Sequence, residues 1–420
     1  MMFSFKVPLL AAGTLLLNPV ASVPATGVFI PSVNTYLLPE PFKGPEASNL
    51  GYLSTGYINT QVTSDGNNIT ALFAAARNST YYALDAEFYD IIGSAGTPDI
   101  QEVASSNLTS FFEAGVWVPE RNEVWFTSLG HPGYVSILNL TSNEVTRPSI
   151  PALNNINPNG GNYFNGLVYF TAAGNQSVPD GATKIVSVNP DTYETKTILN
   201  SFFGEVMTSI DDLTWVKPNN TSDTAPCSVP GESNMFFTTL DFKSEGLPGF
   251  APTVLPNAVW RFSPQTRSLQ GVIPRADILK PNGVISDASG SHLFVTDASV
   301  PFNVGGGSNS SGSGAIYRYD LDPYCNPVNK LLFAIVRSYA DGLHVDDYGR
   351  VWSGEYDGIV VRNSRGKVIG VFNAETLDDS EAPMANFALA GNKLIILGVT
   401  RMYVLQLAQT VVNPTRYTIS

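Results

Sequence analysis

Short apolar runs rich in Val, Ile, Phe, Tyr and Trp recur along this chain, each broken after a few residues by Gly, Asn, Asp, Ser or Pro. Runs of that length and composition read as β-strands, and the breaks read as turns. The clearest unit is residues 280–297, KPNGVISDASGSHLFVTD, with an Asn-Gly corner, an apolar strand, a turn at 288–291 and a second strand at 292–297. The same unit occurs six times. The copies open on Glu113, Asn159, Asp211, Asn282, Asp341 and Asn386, and reach a second apolar run at 124–128, 167–171, 235–239, 293–297, 351–354 and 394–398. Successive openings lie 46, 52, 71, 59 and 45 residues apart. A repeat of about 40–50 residues holding several strands is the pattern of a β-propeller, so the expected fold is all-β, a six-bladed β-propeller.

The pattern also assigns the rest of the chain. Asn165-Gly166 is a strong hairpin signal inside the second repeat. Residues 28–93 precede the first repeat and are expected to close the ring by lending strands to the last blade, with a short helix or turn near 84–92. Trp117 and Trp125 read as blade-packing aromatics, and the Gly/Ser-rich stretch 305–314 reads as a slack surface loop. Residues 1–6 carry one positive charge, 7–17 are apolar but too few to span a bilayer, and small residues around 21–25 offer a cleavage site. That is the layout of a secretory signal peptide, 1–25, followed by one propeller domain, 26–420. No later stretch approaches the roughly 18–20 apolar residues of a membrane span.

Composition narrows the partners. The net charge of −13 argues against nucleic acid or an anionic membrane and favours a cation as partner. Export is supported by sequons at Asn68, Asn78, Asn107, Asn139, Asn175, Asn219, Asn220 and Asn309. The two cysteines, Cys227 and Cys325, are expected to pair and to staple two long surface insertions rather than the core.

The chemistry sits at the six openings. A propeller's innermost strands begin beside the central channel, so Glu113, Asn159, Asp211, Asn282, Asp341 and Asn386 should face one axis. Three carboxylates and three amides form a hard-oxygen set that suits Ca²⁺ better than Zn²⁺ or Cu²⁺. Of the three histidines, His344 lies just past Asp341-Gly342 and His131 lies after the first repeat. Both are candidate general bases, although strand alternation is against His344, because Asp341 and His344 differ by three and need not share a face. His292 reads as exposed at a turn.

These openings resemble a known family. Glu113 in EAGVW, Asn159 in INPNGG, Asp211-Asp212 in SIDDL, Asn282 in KPNGV and Asp341 in ADGLHVD look like the ordered motifs of the gluconolactonase/senescence marker protein family, secreted fungal lactonohydrolases above all. The resemblance implies a Ca²⁺-dependent hydrolase acting on a lactone or related ester. Glu113, Asn282 and Asp341 would be metal ligands, and Asn159 and Asp211 would ligate or face substrate. The chain departs from the family pattern at Asp211, Phe112 and Ala340, where Asn, His and Pro are usual. Two rival readings use the same scaffold: a non-hydrolytic enzyme of natural-product biosynthesis, such as a hetero-Diels–Alderase, and a non-catalytic binding propeller.

Overall fold

The computed structural model describes residues 21–23, 26–45, 56–63, 68–93, 100–128, 133–175, 177, 183–219, 221–242, 255–299, 314–337, 340–378 and 384–418. Six antiparallel sheets stand around one axis as the blades of a six-bladed β-propeller. From the axis outward, blade one is Glu113–Val118, Glu123–Thr127, Val135–Asn139 and Glu144–Thr146. Blade two is Pro158–Phe164, Leu167–Ala172, Lys184–Val188 and Thr195–Leu199. Blade three is Ile210–Val216, Asn234–Thr239, Ala258–Ser263 and Ser268–Pro274. Blade four is Pro281–Ser286, His292–Asp297, Ala315–Leu321 and Pro327–Ile335. Blade five is Ala340–Val345, Val351–Glu355, Gly358–Arg362 and Val368–Asn373. Blade six runs Phe387–Ala390, Lys393–Gly398 and Arg401–Gln406.

Blade six is completed by Ile100–Ser105, antiparallel to Arg401–Gln406, with Ala21–Val23 outside it. The closing strand therefore comes from just before the first repeat, and not from 28–93 as the sequence pattern suggested. Residues 28–93 instead extend blade five: Tyr81–Ala83 pairs with Val368–Asn373, and Gly27–Phe29 pairs in parallel with Tyr81–Ala83. The reason is the buried outer face of blade five, where Tyr82, Phe73, Ile58 and Ile30 form a satellite core with Val360 and Val371. The expected helix is present as Phe88–Ile92.

The apolar faces meet between blades, so the core is a set of wedges. Trp125, Phe170 and Val186 fill the wedge between blades one and two, and Trp215, Phe164 and Phe237 the next. Trp125 is fully buried and Trp117 nearly so, as packing aromatics should be. Cys227 and Cys325 form a disulfide, and both lie in the wedge between blades three and four beside Val216, Phe236 and Leu321. The bridge thus clips the core, contrary to the expectation of a surface staple. The insertion folds back, with Cys227 N–H donating to the Asp322 carbonyl at 2.9 Å. Residues 305–313 and the sequons at Asn220 and Asn309 lie outside the described residues. No described helix is long and apolar enough to cross a membrane.

Candidate functional site

Five of the six inner strands place their opening residue through a local irregularity; Phe387–Ala390, after Asn386, pairs without one. The ladder slips between Glu113 and Val116, Pro158 and Gly161, Ile210 and Leu213, Pro281 and Val284, and Ala340 and Leu343. These are β-bulges, each setting three inner-strand steps against two on its partner. A bulge reverses the in-out alternation, so residues three apart can share a face. Ala340 and Leu343 accordingly lie in one apolar cluster, and the alternation argument that separated Asp341 from His344 does not hold. The glycine after the opening residue allows adjacent inner strands to approach: a Cβ on Gly283 would collide with the Asp341 carbonyl, and one on Gly342 with the Asn386 side chain.

The six opening residues form three amide–carboxylate pairs, each joining neighbouring blades. Asn386 Nδ2 donates to Glu113 Oε2 at 3.0 Å, and Asn159 Nδ2 donates to Asp211 Oδ1 at 2.5 Å. The Asn282 amide hydrogen-bonds the Asp341 carboxylate. Glu113, Asp211, Asn282, Asp341 and Asn386 are all buried. Burial raises Glu113 to about 7, against the opposing hydrogen bonds from Asn386 and the Ala114 backbone. Asp211 is raised well above the carboxylate range by burial and then by Glu113 and Asp212, and Asp341 by burial and then Glu113, Asp211 and Asp212. The charges acting on these groups are one another's; no Lys or Arg is among them.

No family model matches the chain. It is similar to lactonohydrolase oryL of Aspergillus oryzae, 27% identical over 289 residues that cover 61% of this chain and 59% of that protein. It is similar also to lactonohydrolase oryH of the same fungus, 31% identical over 159 residues, covering 35% of this chain and 31% of that protein. The chain thus spans about three-fifths of the length of one curated relative and a third of the other. A solved structure described as a candidate gluconolactonase superposes with a TM-score of 0.61 at 19% identity, over 80% of this chain and 100% of that one. A gluconolactonase from Xanthomonas campestris gives 0.56 at 18% identity, over 77% and 94%. The chain is thus similar in sequence to proteins named lactonohydrolase, and it shares the propeller fold of the two gluconolactonase structures.

In this propeller the sequence-derived set Glu113, Asn159, Asp211, Asn282 and Asp341 is brought together on the axis, with Asn386 closing the ring. All six supply hard oxygens. Asp211 Oδ2 is buried with no partner, the condition of an oxygen built to meet something further. Among the described residues no three Asp, Glu, His or Cys side chains are grouped closely enough to hold a metal ion unaided. A cation on the axis would therefore have to draw on the intervening amides as well as the carboxylates.

His344 reaches the ring through Asn386, whose side chain it hydrogen-bonds, and its Nε2 lies 2.9 Å from the Phe387 carbonyl. Burial lowers it to about 4, so it is neutral at neutral pH. With Nε2 donating to a carbonyl, Nδ1 is left as the acceptor nitrogen. His292 is held by Asp287 at 2.8 Å, at the turn between the first two strands of blade four and at the opposite end of the inner strand from Asn282. His131 lies outside the described residues.

The sequence reading overlooked a second ring. Thr127 Oγ1 donates to the Asn159 carbonyl at 2.9 Å, Thr171 to Asp211 at 2.5 Å, Thr238 to Asn282 at 2.5 Å and Thr296 to Asp341 at 3.0 Å. Each threonine is fully buried and fixes the backbone of the opening residue on the next blade. The signal was present in the chain as WFT, YFT, FFT and FVT at the ends of four second strands.

Proposed function

We propose that this chain is a calcium-dependent lactonase-type hydrolase of a lactone or related ester. The observation that carries this is the axial ring: three buried carboxylates from alternate blades that raise one another's pKa and have no basic side chain acting on them. Such a cluster must take up protons or a cation. Glu113, Asn282 and Asp341 would hold the ion, with Asn159 and Asp211 ligating it or facing the substrate. When bound, Ca²⁺ supplies Lewis-acid polarisation of the ester carbonyl.

The chain's own groups do the rest. The threonines fix the backbone from which Asn159, Asp211, Asn282 and Asp341 project, so the oxygens are preorganised. Neutral His344 orients the Asn386 amide, which in turn holds Glu113. At about 4 its basicity is weak, which suits a positioning residue better than a general base.

The relatives named lactonohydrolase and gluconolactonase support this reaction class. The test is a panel of γ- and δ-lactones followed by pH-stat, with the protein stripped of metal and then reloaded with Ca²⁺. Turnover should vanish on stripping and return on reloading. A folded, Ca²⁺-loaded protein that opens no lactone would remove the hydrolase reading.

We propose further that the protein is secreted and glycosylated, which the disulfide supports. Asn68 and Asn107 are exposed and open to a glycan, and Asn78 is exposed with its amide donating to the Ala74 carbonyl at 3.0 Å. Asn175 is not: it is 8% exposed and its amide donates to the Asn155 carbonyl at 3.0 Å.

A further inference from the structure

At the face where the inner strands end, opposite the carboxylate ring, the C-terminal segment crosses the channel mouth. Lys217 Nζ donates to the Thr418 carbonyl at 3.1 Å, Arg416 Nη2 to the Ser286 carbonyl at 2.8 Å and Arg416 Nη1 to the Val345 carbonyl. Asn165 N–H donates to the Tyr417 carbonyl at 2.8 Å. Blades two to five are thereby tied to one strap. Beneath it lies a cavity of about 110 Å³ between the ends of blades two, three and four, lined by Phe164, Trp215, Lys217, Ser286, Arg416 and Tyr417 among others.

We infer that this cavity is a binding site for a small oxyanion, a short carboxylate or inorganic phosphate. Three observations converge. First, two cations meet there in a chain of net charge −13, and most of their hydrogen bonds go to neutral backbone carbonyls. Lys217 is lowered by burial and then by Arg416, with no carboxylate acting on it. Arg416 has one acidic neighbour, Asp347 at 3.5 Å. Asp287 also lines the cavity, but its carboxylate is turned onto its own turn, taking the N–H groups of Ser291 and His292 and the His292 ring. Second, Phe164, Trp215 and Tyr417 wall the cavity with aromatic residues, so a charge interaction there is screened less than at an open surface. Third, the size suits a ligand of a few heavy atoms, since water occupies about 30 Å³ per molecule in the liquid. An ammonium and a guanidinium are both donors, and an oxyanion is the acceptor they share. This site does not depend on the lactonase reading, because it is measured without substrate.

The experiment is thermal melting of the full chain, loaded with Ca²⁺ and then freed of excess ion, in sodium acetate, sodium phosphate and sodium chloride at matched ionic strength. Acetate or phosphate should raise the midpoint above chloride, with a shift that grows with the logarithm of concentration. Acetate acting alone identifies a carboxylate site, and phosphate acting alone a phosphate site. Lys217→Met should abolish the shift. Because that variant also loosens the strap, Lys217→Arg is the second arm: it keeps a cation and donors for the strap carbonyls and should retain most of the shift. Equal midpoints in all three salts, a wild-type anion response in Lys217→Met, or a loss of response in Lys217→Arg as complete as in Lys217→Met would overturn the inference.

Discussion

Removing divalent cation from this propeller should cost more stability the higher the pH. Glu113 titrates at about 7 in the folded, cation-free protein against an ordinary value of 4.5. Between those values the native state holds a proton that the unfolded chain has already released. The associated stability is complete below pH 4.5 and is lost as pH rises through 7. At 1.36 kcal/mol per pH unit the loss from Glu113 is about 3 kcal/mol. Asp211, Asp212 and Asp341 are raised too, so each adds in the same direction. A bound dication keeps the carboxylates ionised and removes that penalty, so stabilisation by Ca²⁺ should grow steadily across the same window. Urea midpoints of metal-stripped and Ca²⁺-loaded protein, taken from pH 4.5 to above 7, measure the difference directly and cancel titrations common to both forms. Glu113→Gln should flatten the pH dependence of the difference. A stabilisation by Ca²⁺ that is constant or shrinks as pH rises would refute the argument.

Four further outcomes follow from the geometry. His344 is lowered to about 4, so the unfolded chain binds its proton first as pH falls below 6.5; His344→Gln should remove up to about 3 kcal/mol of acid destabilisation between pH 6.5 and 4, read as a flatter acid limb in urea melts. Thr238→Val strips a buried hydrogen bond from the Asn282 carbonyl and should cost about 1–3 kcal/mol while weakening Ca²⁺ binding by calorimetry. Cys325→Ser opens a bridge between residues 98 apart and should cost up to about 4–5 kcal/mol in the denaturation midpoint. Ala114 holds φ of 70° beside Glu113, so Ala114→Gly should gain up to about 1 kcal/mol, and a lower melting point would show that the backbone there is not strained.

The blades and their opening residues were legible because a repeated unit multiplies a weak signal: one Asn-Gly means a turn, six polar openings in register mean an axis. What was not legible depended on contacts across blades. Alternation failed at Asp341 and His344 because a bulge carries no fixed residue signature. The pairing of Asn386 with Glu113 joins residues 273 apart, which no local pattern reports. The threonine ring, by contrast, was written plainly in WFT, YFT, FFT and FVT, and was hidden only because Thr is an ordinary strand former. The destination of 28–93 was misjudged because strand propensity says that a segment will pair, not which edge will receive it.

The seam in blade six has a temporal meaning. The inner edge of Ile100–Ser105 must wait for Arg401–Gln406, so a chain growing from its N-terminus carries an open strand edge for some three hundred residues before its partner exists. Until then the axis has no sixth wall, Asn386 is not facing Glu113, and the buried acids are still open to water. Closure is therefore a single late event that completes the sheet, the amide–carboxylate ring and the channel together. A nascent or truncated chain lacking the last blade would not be a weaker version of this protein but an open arc, with two sticky edges and no site.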